Sequence, residues 1–190
     1  MNKIGEYKII DNFLPENDFR IVSDMMWSID FNWHFTEYYN AERNVNDKDN
    51  YNYYFTHVFY AETNSPGWVE QSFDFWRLWT RIQNNIQKFV NPNKNFHLMR
   101  VKGNYYHKQE TCIKHGYHQD MPHVQNNVAL YFLNTNDAKT YIKDIAEVEA
   151  IENRLLLFNG HDWHTSSSPT NNKGRITINI NYQEFEDGEL

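Results

Sequence analysis

The 190 residues carry 18 Lys and Arg against 25 Asp and Glu, a formal net charge of −7, and no basic stretch stands out. That balance argues against a protein that tracks nucleic-acid phosphates. Apolar residues make up 40% and aromatic residues 17% of the chain, which excludes disorder and suits one domain with a sizeable core. The single cysteine, Cys112, rules out an internal disulfide framework and fits a reducing cytoplasm. No apolar leader follows Met1, and no apolar stretch approaches the roughly 18 residues that span a bilayer, so a soluble cytoplasmic protein is expected.

In chain order, residues 6–12 read as a short strand on the propensities of Tyr7, Ile9 and Ile10. Pro15 opens a helix, with Glu16 and Asp18 at its positive end and Phe19, Val22 and Met26 at core-facing spacing. Residues 32–52 are polar and aromatic without a period. Within them the Tyr/Asn-rich stretch 37–54 has the character of either a lid or a solvated loop. A strand over 54–60 is broken at Ser65-Pro66-Gly67. The pattern then predicts a long helix from about 68 to 90, with the stripe Phe75, Trp79, Ile82, Ile86 and Phe89, ended by Asn91-Pro92-Asn93.

Beyond residue 95 the character changes to short strand-like runs at 96–106, 128–133, 141–142, 155–158 and 175–182. Helices first and strands after predict an α+β, mainly β fold: an antiparallel jelly roll with the N-terminal helices packed on one outer face. Residues 1–190 are expected to form one domain, with a helical support region at 1–94 and a jelly-roll core at 95–183. The acidic end, 184–190, is expected to fray.

Three pieces of the second half carry chemistry. His118-Gln119-Asp120 places an imidazole and a carboxylate on one side of an extended segment. Nine His and twelve Asp produce about 0.6 such triplets by chance, so the triplet needs context. Two imidazoles and a carboxylate on one side of a metal leave the opposite positions open, the non-haem iron(II) arrangement. A second imidazole is available 46 residues after His118, at His164, with His161 as its rival and His115 and His123 flanking the triplet. Positions three apart on a strand face opposite sides, so only one of His161 and His164 is expected at the metal, and spacing prefers His164. The third piece alternates strictly: Arg175, Thr177, Asn179 and Asn181 on one face, Ile176, Ile178 and Ile180 on the other. Either this is a half-buried strand with its polar face in water, or the sheet is covered on both sides and the polar face lines a pocket. In a pocket, Arg175 would grip a carboxylate through two parallel hydrogen bonds.

In order, His118-x-Asp120, Tyr131-Phe132-Leu133-Asn134, the run from Asn153 to Phe158, His164 and Arg175-Ile176-Thr177 resemble the iron(II)- and 2-oxoglutarate-dependent oxygenases. The likeness is to the compact prolyl-hydroxylase-like members, including small versions carried by bacterial viruses, and covers roughly residues 95–183. It implies a double-stranded β-helix, with His118, Asp120 and His164 as both metal ligands and catalytic residues. Arg175, with Thr177 two residues on, would meet the far carboxylate of 2-oxoglutarate, and Asn104 and Tyr106 resemble the Asn-x-Tyr pair that contacts it in some members. Phe132 stands where prolyl-hydroxylase relatives often carry a cosubstrate-binding tyrosine, without that hydroxyl, and Tyr131 would face away. Asn181, six after Arg175, replaces the second Arg of the nucleic-acid-repair branch.

What the resemblance implies in function is hydroxylation of a C–H bond with iron(II), O2 and 2-oxoglutarate, and with ascorbate as reductant. Asp120 favours hydroxylation over halogenation, because halogenating members replace this carboxylate with a small residue. The substrate is expected to be a peptide or protein side chain or a small metabolite, with no nucleic acid and no membrane involved. The alternative class is a cupin-like metal-binding protein. A plain metal binder has no need of a buried carboxylate clamp, so Arg175 discriminates.

Overall fold

The computed structural model describes residues 3–37, 53–62, 69–90 and 93–186. In chain order its elements are β1 (Tyr7–Ile10), α1 (Glu16–Trp27), β2 (His34–Glu37), β3 (Tyr53–Glu62), β4 (Val69–Gln71), α2 (Phe75–Ile86) and β5 (Asn95–His107). They continue with β6 (Asn127–Phe132), β7 (Lys139–Ile142), β8 (Ala146–Glu149), β9 (Arg154–Asn159), β10 (His164–Ser166) and β11 (Gly174–Phe185). The large sheet runs β1-β9-β6-β11-β5-β3-β2, with β4 added to β3, and the small sheet runs β10-β7-β8. All pairings are antiparallel. Together they form the expected α+β, mainly β jelly roll.

Period-two alternation sorts the central strands into two cores. On one face Ala129, Tyr131, Leu155, Leu157, Ile176, Ile178 and Ile180 pack under Phe19, Val22 and Met26 of α1 and Phe75, Leu78, Trp79 and Ile82 of α2. On the other face Val128, Leu130, Phe132, Leu156 and Phe158 meet Ile142 and Val148 of the small sheet. Because both faces of β6 and β9 are covered, these strands are apolar between their polar ends, over Val128–Phe132 and Leu155–Phe158. Close approach on the helix side is decided at Gly103, where a Cβ would lie 2.7 Å from the Met26 side chain. Helix α1 begins directly after Pro15, whose extended backbone (φ −52°, ψ 143°) delivers Glu16 and Asp18 to the first turn. Asn153, with φ of 59°, ties that entry to the sheet. Its Oδ1 accepts from Leu14 N at 2.9 Å and the Tyr131 hydroxyl at 2.8 Å, and its Nδ2 donates to Leu14 O at 2.9 Å.

The predicted helix over 68–90 is shorter than its pattern. Residues Val69–Gln71 extend instead as β4 along Tyr60, Ala61 and Glu62 of β3, and the helix starts only at Phe75, where the buried stripe begins. An open strand edge offers backbone partners that outweigh a weak helical preference. Among the described residues, the first 94 thus add four strands to the large sheet beside their two helices. The stretch 37–54 considered as a lid lies, apart from its ends, outside the described residues. Among those described, no helix is long and apolar enough to cross a membrane.

Candidate metal and cosubstrate site

Between the sheets lies a cavity of about 350 Å³, within the range of small-molecule sites. Its floor is the polar face of β11 and β5, the central antiparallel pair. Register places Arg175 beside Tyr106, Thr177 beside Asn104, Asn179 beside Lys102 and Asn181 beside Arg100. The isoleucines of β11 point to the helices and Arg175, Thr177 and Asn179 to the cavity, so the strand is covered on both sides.

At one end His118, Asp120 and His164 offer ligand atoms that all lie within 4.8 Å of one another. The loop after β5 and the start of β10 are stitched together by two backbone bonds, His118 N to His164 O at 3.0 Å and His164 N to His118 O at 2.9 Å. Asp120 N donates to Gly160 O at 3.1 Å, and Gly160 N to Asn126 O at 2.9 Å. The Asn126 amide donates to Asp120 O at 2.9 Å and lies so close to Gly160 that a Cβ there would come within 2.1 Å of its oxygen. Met121, at φ 46°, turns the chain away directly after the carboxylate. His161 is not part of the group; its Nε2 sits 3.1 Å from Val124 O.

Hydrogen bonding orients the donors. The Nδ1 of His164 faces Asp162 O at 2.9 Å, and that of His118 faces Gly116 O at 3.5 Å. A carbonyl can only accept, so in the neutral rings each Nε2 is left as a lone pair. These lone pairs stand 3.8 Å and 3.9 Å from the Asp120 oxygens. The carboxylate is 6% exposed and accepts from Arg100 Nη2 at 3.1 Å, Asn179 Nδ2 at 2.7 Å and Asn181 Nδ2 at 3.3 Å. Burial alone would raise its pKa, but Arg100 and the two imidazoles together outweigh that and hold it below the usual carboxylate range. Crowding by protein pushes His118 down to about 4, with His164 adding to the shift, although 54% of its side chain still meets solvent, which moderates the effect. A carboxylate kept ionised and lone pairs aimed at one point form a donor set that a divalent cation fits.

At the other end is Arg175, 1% exposed. Its Nη1 donates to Lys139 O at 2.7 Å and Ser167 O at 3.3 Å, and its Nη2 to the Thr140 hydroxyl at 2.6 Å. Phe132 and Tyr106 flank the guanidinium at 5.4 and 5.9 Å. His115 lies beneath it, between the Ser166 and Ser168 hydroxyls at 2.9 and 3.0 Å, stacked on Tyr106. Burial, and then the Arg175 charge, push His115 down to about 3.

The predicted residues are distributed as follows. Asn104, Tyr106, Thr177 and Arg175 line the cavity with the three metal-type ligands. Asn104 is buried, and its Oδ1 has no hydrogen-bond partner among the described residues. Phe132 sits behind the wall under Arg175, in the core between the sheets. Sequence reasoning missed Arg100 and Lys102, although they share the alternation of Asn104 and Tyr106. It also missed Thr140 and Asn126, which carry no sequence signal beyond their residue type.

No model of a protein family and no curated protein matches the sequence. Among solved structures, a 2OG-Fe(II) oxygenase family oxidoreductase from Burkholderia pseudomallei is similar over 95% of this chain and 87% of its own, with a TM-score of 0.67 at 8% identity. A prolyl hydroxylase from Trichoplax adhaerens, in complex with a hypoxia inducible factor peptide fragment, matches over 93% and 82%, with a TM-score of 0.59 at 16% identity. HygX from Streptomyces hygroscopicus, with nickel, 2-oxoglutarate and hygromycin B bound, matches over 93% and 82%, with a TM-score of 0.56 at 11% identity. With helices on one face of the large sheet and a two-histidine, one-carboxylate cluster between the sheets, this chain has the double-stranded β-helix fold seen in the 2-oxoglutarate- and iron(II)-dependent oxygenases.

Proposed function

We propose that the protein is an iron(II)- and 2-oxoglutarate-dependent dioxygenase that hydroxylates a C–H bond. The observation that carries this reading is one cavity with a convergent His118–Asp120–His164 cluster at one end and a buried guanidinium, Arg175, at the other. A plain metal binder accounts for the first feature and needs the second only as a strut, through its bonds to Lys139, Ser167 and Thr140.

In this reading His118, Asp120 and His164 hold iron(II), and Arg100, Asn179 and Asn181 keep Asp120 ionised and aimed. Arg175 and the Thr140 hydroxyl receive the distal carboxylate of 2-oxoglutarate. Asn104, Tyr106 and Thr177 line the path between the two ends. Iron, when bound, supplies oxygen activation coupled to conversion of 2-oxoglutarate to succinate and carbon dioxide. The protein's part is to position these groups and to exclude water from the cavity. Ascorbate serves as the reductant that keeps the metal ferrous.

The substrate class is open between the kinds seen in similar structures, a peptide and a small molecule. The test is a substrate-free assay with iron(II), ascorbate and 2-oxoglutarate, following succinate. Slow uncoupled succinate production that His164→Ala and Asp120→Ala abolish is expected. A protein that takes up iron stoichiometrically, yet neither binds 2-oxoglutarate nor forms succinate, would overturn the reading.

A further inference from the structure

The residues that line the cavity include three cations, Arg100, Lys102 and Arg175, and one carboxylate, Asp120. Two of the cations have work already. Arg100 is paired with Asp120 at 3.1 Å and also donates to Asn181 Oδ1 at 3.0 Å. Arg175 is held at the far end by Lys139, Ser167 and Thr140. Lys102 is different. It is half-buried in the cavity wall, and among the described residues its ammonium has no hydrogen bond and no ion pair. Its nearest described neighbour is an aromatic face, the Tyr54 ring, at 6.0 Å, and the Asp120 carboxylate and the Arg100 guanidinium act on it only at longer range.

Position separates Lys102 from the cosubstrate's clamp. On the β11–β5 pair Lys102 lies opposite Asn179, which donates to Asp120, whereas Arg175 lies opposite Tyr106. Four residues of strand, roughly 13 Å along the sheet, separate the two levels. Lys102 therefore stands at the level of the metal ligands, opposite Val58 of β3, while Tyr54 of β3 and Thr36 of β2 complete the wall one step along, beside Tyr106. An ammonium set into a half-dry wall two residues from a second cation is costly unless an anion joins it.

We propose that Lys102 is a substrate-binding residue that holds a carboxylate of the molecule to be oxidised beside the metal site. The inference rests on the oxygenase reading and sharpens it to an acidic substrate. A carboxylate suits the site better than a phosphate dianion because a single ammonium offers its donors at this end of the cavity, Arg100 being already bonded to Asp120. The carboxylate has two possible sources, the free acid of a small molecule or an acidic side chain within a peptide. In either case Tyr54, stacked on Tyr106 at 5.3 Å, offers a flat aromatic surface next to the ammonium.

The test uses the full chain with iron(II), 2-oxoglutarate and ascorbate, and N-acetylated proteinogenic amino acids as probes, each supplied as the free acid and as the carboxamide. The readouts are stimulated succinate formation and a product one oxygen heavier. At least one acid is expected to stimulate turnover where its uncharged carboxamide does not. Stimulation by the carboxamides of N-acetyl-Asp or N-acetyl-Glu, whose only carboxylate is on the side chain, points to a peptide source. Stimulation confined to the free acids points to a small molecule. Lys102→Met should raise the apparent KM for the stimulating acid at least tenfold, and Lys102→Arg should recover part of the loss. The Kd for 2-oxoglutarate, measured anaerobically, should stay within twofold of the parent in both. If Lys102→Met weakens 2-oxoglutarate binding instead, Lys102 belongs to the cosubstrate and the proposal is wrong. Equal stimulation by acids and uncharged amides, or by neither in a protein whose uncoupled turnover is intact, also overturns it. Absence of uncoupled turnover together with absence of 2-oxoglutarate binding overturns the oxygenase reading itself.

Discussion

Arg175→Met separates an oxygenase from a structural strut, and the structure sets what each role is worth. The guanidinium makes three hydrogen bonds to the small-sheet side, to Lys139 O, Ser167 O and Thr140 Oγ1, and is 1% exposed. Methionine nearly conserves the volume but leaves Ser167 O and the Thr140 hydroxyl without this donor, while Lys139 O keeps only its bond from Ser167 N. At about 1–3 kcal/mol for each buried group left unsatisfied, partly relieved by water in the cavity, the apo protein should lose about 2–4 kcal/mol of stability. Urea unfolding at neutral pH reads this as a lowered midpoint with an unchanged slope. The cosubstrate effect is separate. Truncating one partner of a desolvated charge pair costs about 2–5 kcal/mol, a 30- to 5,000-fold loss of affinity. It is read by titrating 2-oxoglutarate into the anaerobic iron(II) protein and following the metal-to-ligand absorption band. Arg175→Lys should recover part of the affinity, because the charge survives without the fork. A folded Arg175→Met protein that binds 2-oxoglutarate like the parent, while showing the stability loss, would make Arg175 a strut between the sheets and remove the cosubstrate assignment.

Other consequences are open to measurement. His118→Ala, Asp120→Ala and His164→Ala should each abolish tight binding of one iron(II) per chain, whereas His161→Ala should retain it; the reverse order for 161 and 164 would refute the ligand choice. Gly160→Ala forces a Cβ into the Asn126 amide and should displace the loop that carries Asp120. Iron affinity should fall by at least tenfold in that variant, and Asn126→Ala should lower it through the same loop; unchanged metal affinity in both would show that the loop is held by other contacts. His115 is buried neutral, its pKa pushed down to about 3 against about 6.5 when unfolded. The unfolded chain therefore binds the extra proton between those values, and stability falls as pH drops through that window, with a slope approaching about 1.4 kcal/mol per pH unit. Urea midpoints of the apo protein at pH 7 and pH 5 should differ more than those of His115→Gln; equal differences would assign the acid sensitivity elsewhere.

The reading of strands from period-two alternation carried far because the buried pair at the centre of the sheet leaves little choice. Ile176, Ile178 and Ile180 need a core, so Arg175, Thr177, Asn179 and Asn181 must share the other face. The same logic applied to β5 would have placed Arg100 and Lys102 beside Asn104 and Tyr106. The order of His118, Asp120, His164 and Arg175 along the chain supplied the chemistry to test.

By itself, then, the sequence determined the mainly-β architecture, the helical cover and the residue types available for a metal and a carboxylate. Only tertiary structure decided the rest, because each remaining question is one of distance between remote segments. It decided that the polar face of β11 meets a second sheet and not water, since the small-sheet strands β8 and β10 are too short to show a period. It turned Val69–Gln71 into a strand, because the free edge of β3 is not visible in local propensity. It also holds His164, the histidine that spacing preferred, beside Asp120 through two backbone bonds to His118. And it left Lys102 the one cation in the cavity wall without a described anionic or hydrogen-bonding partner, a property of the space around the side chain that no residue of the sequence carries alone.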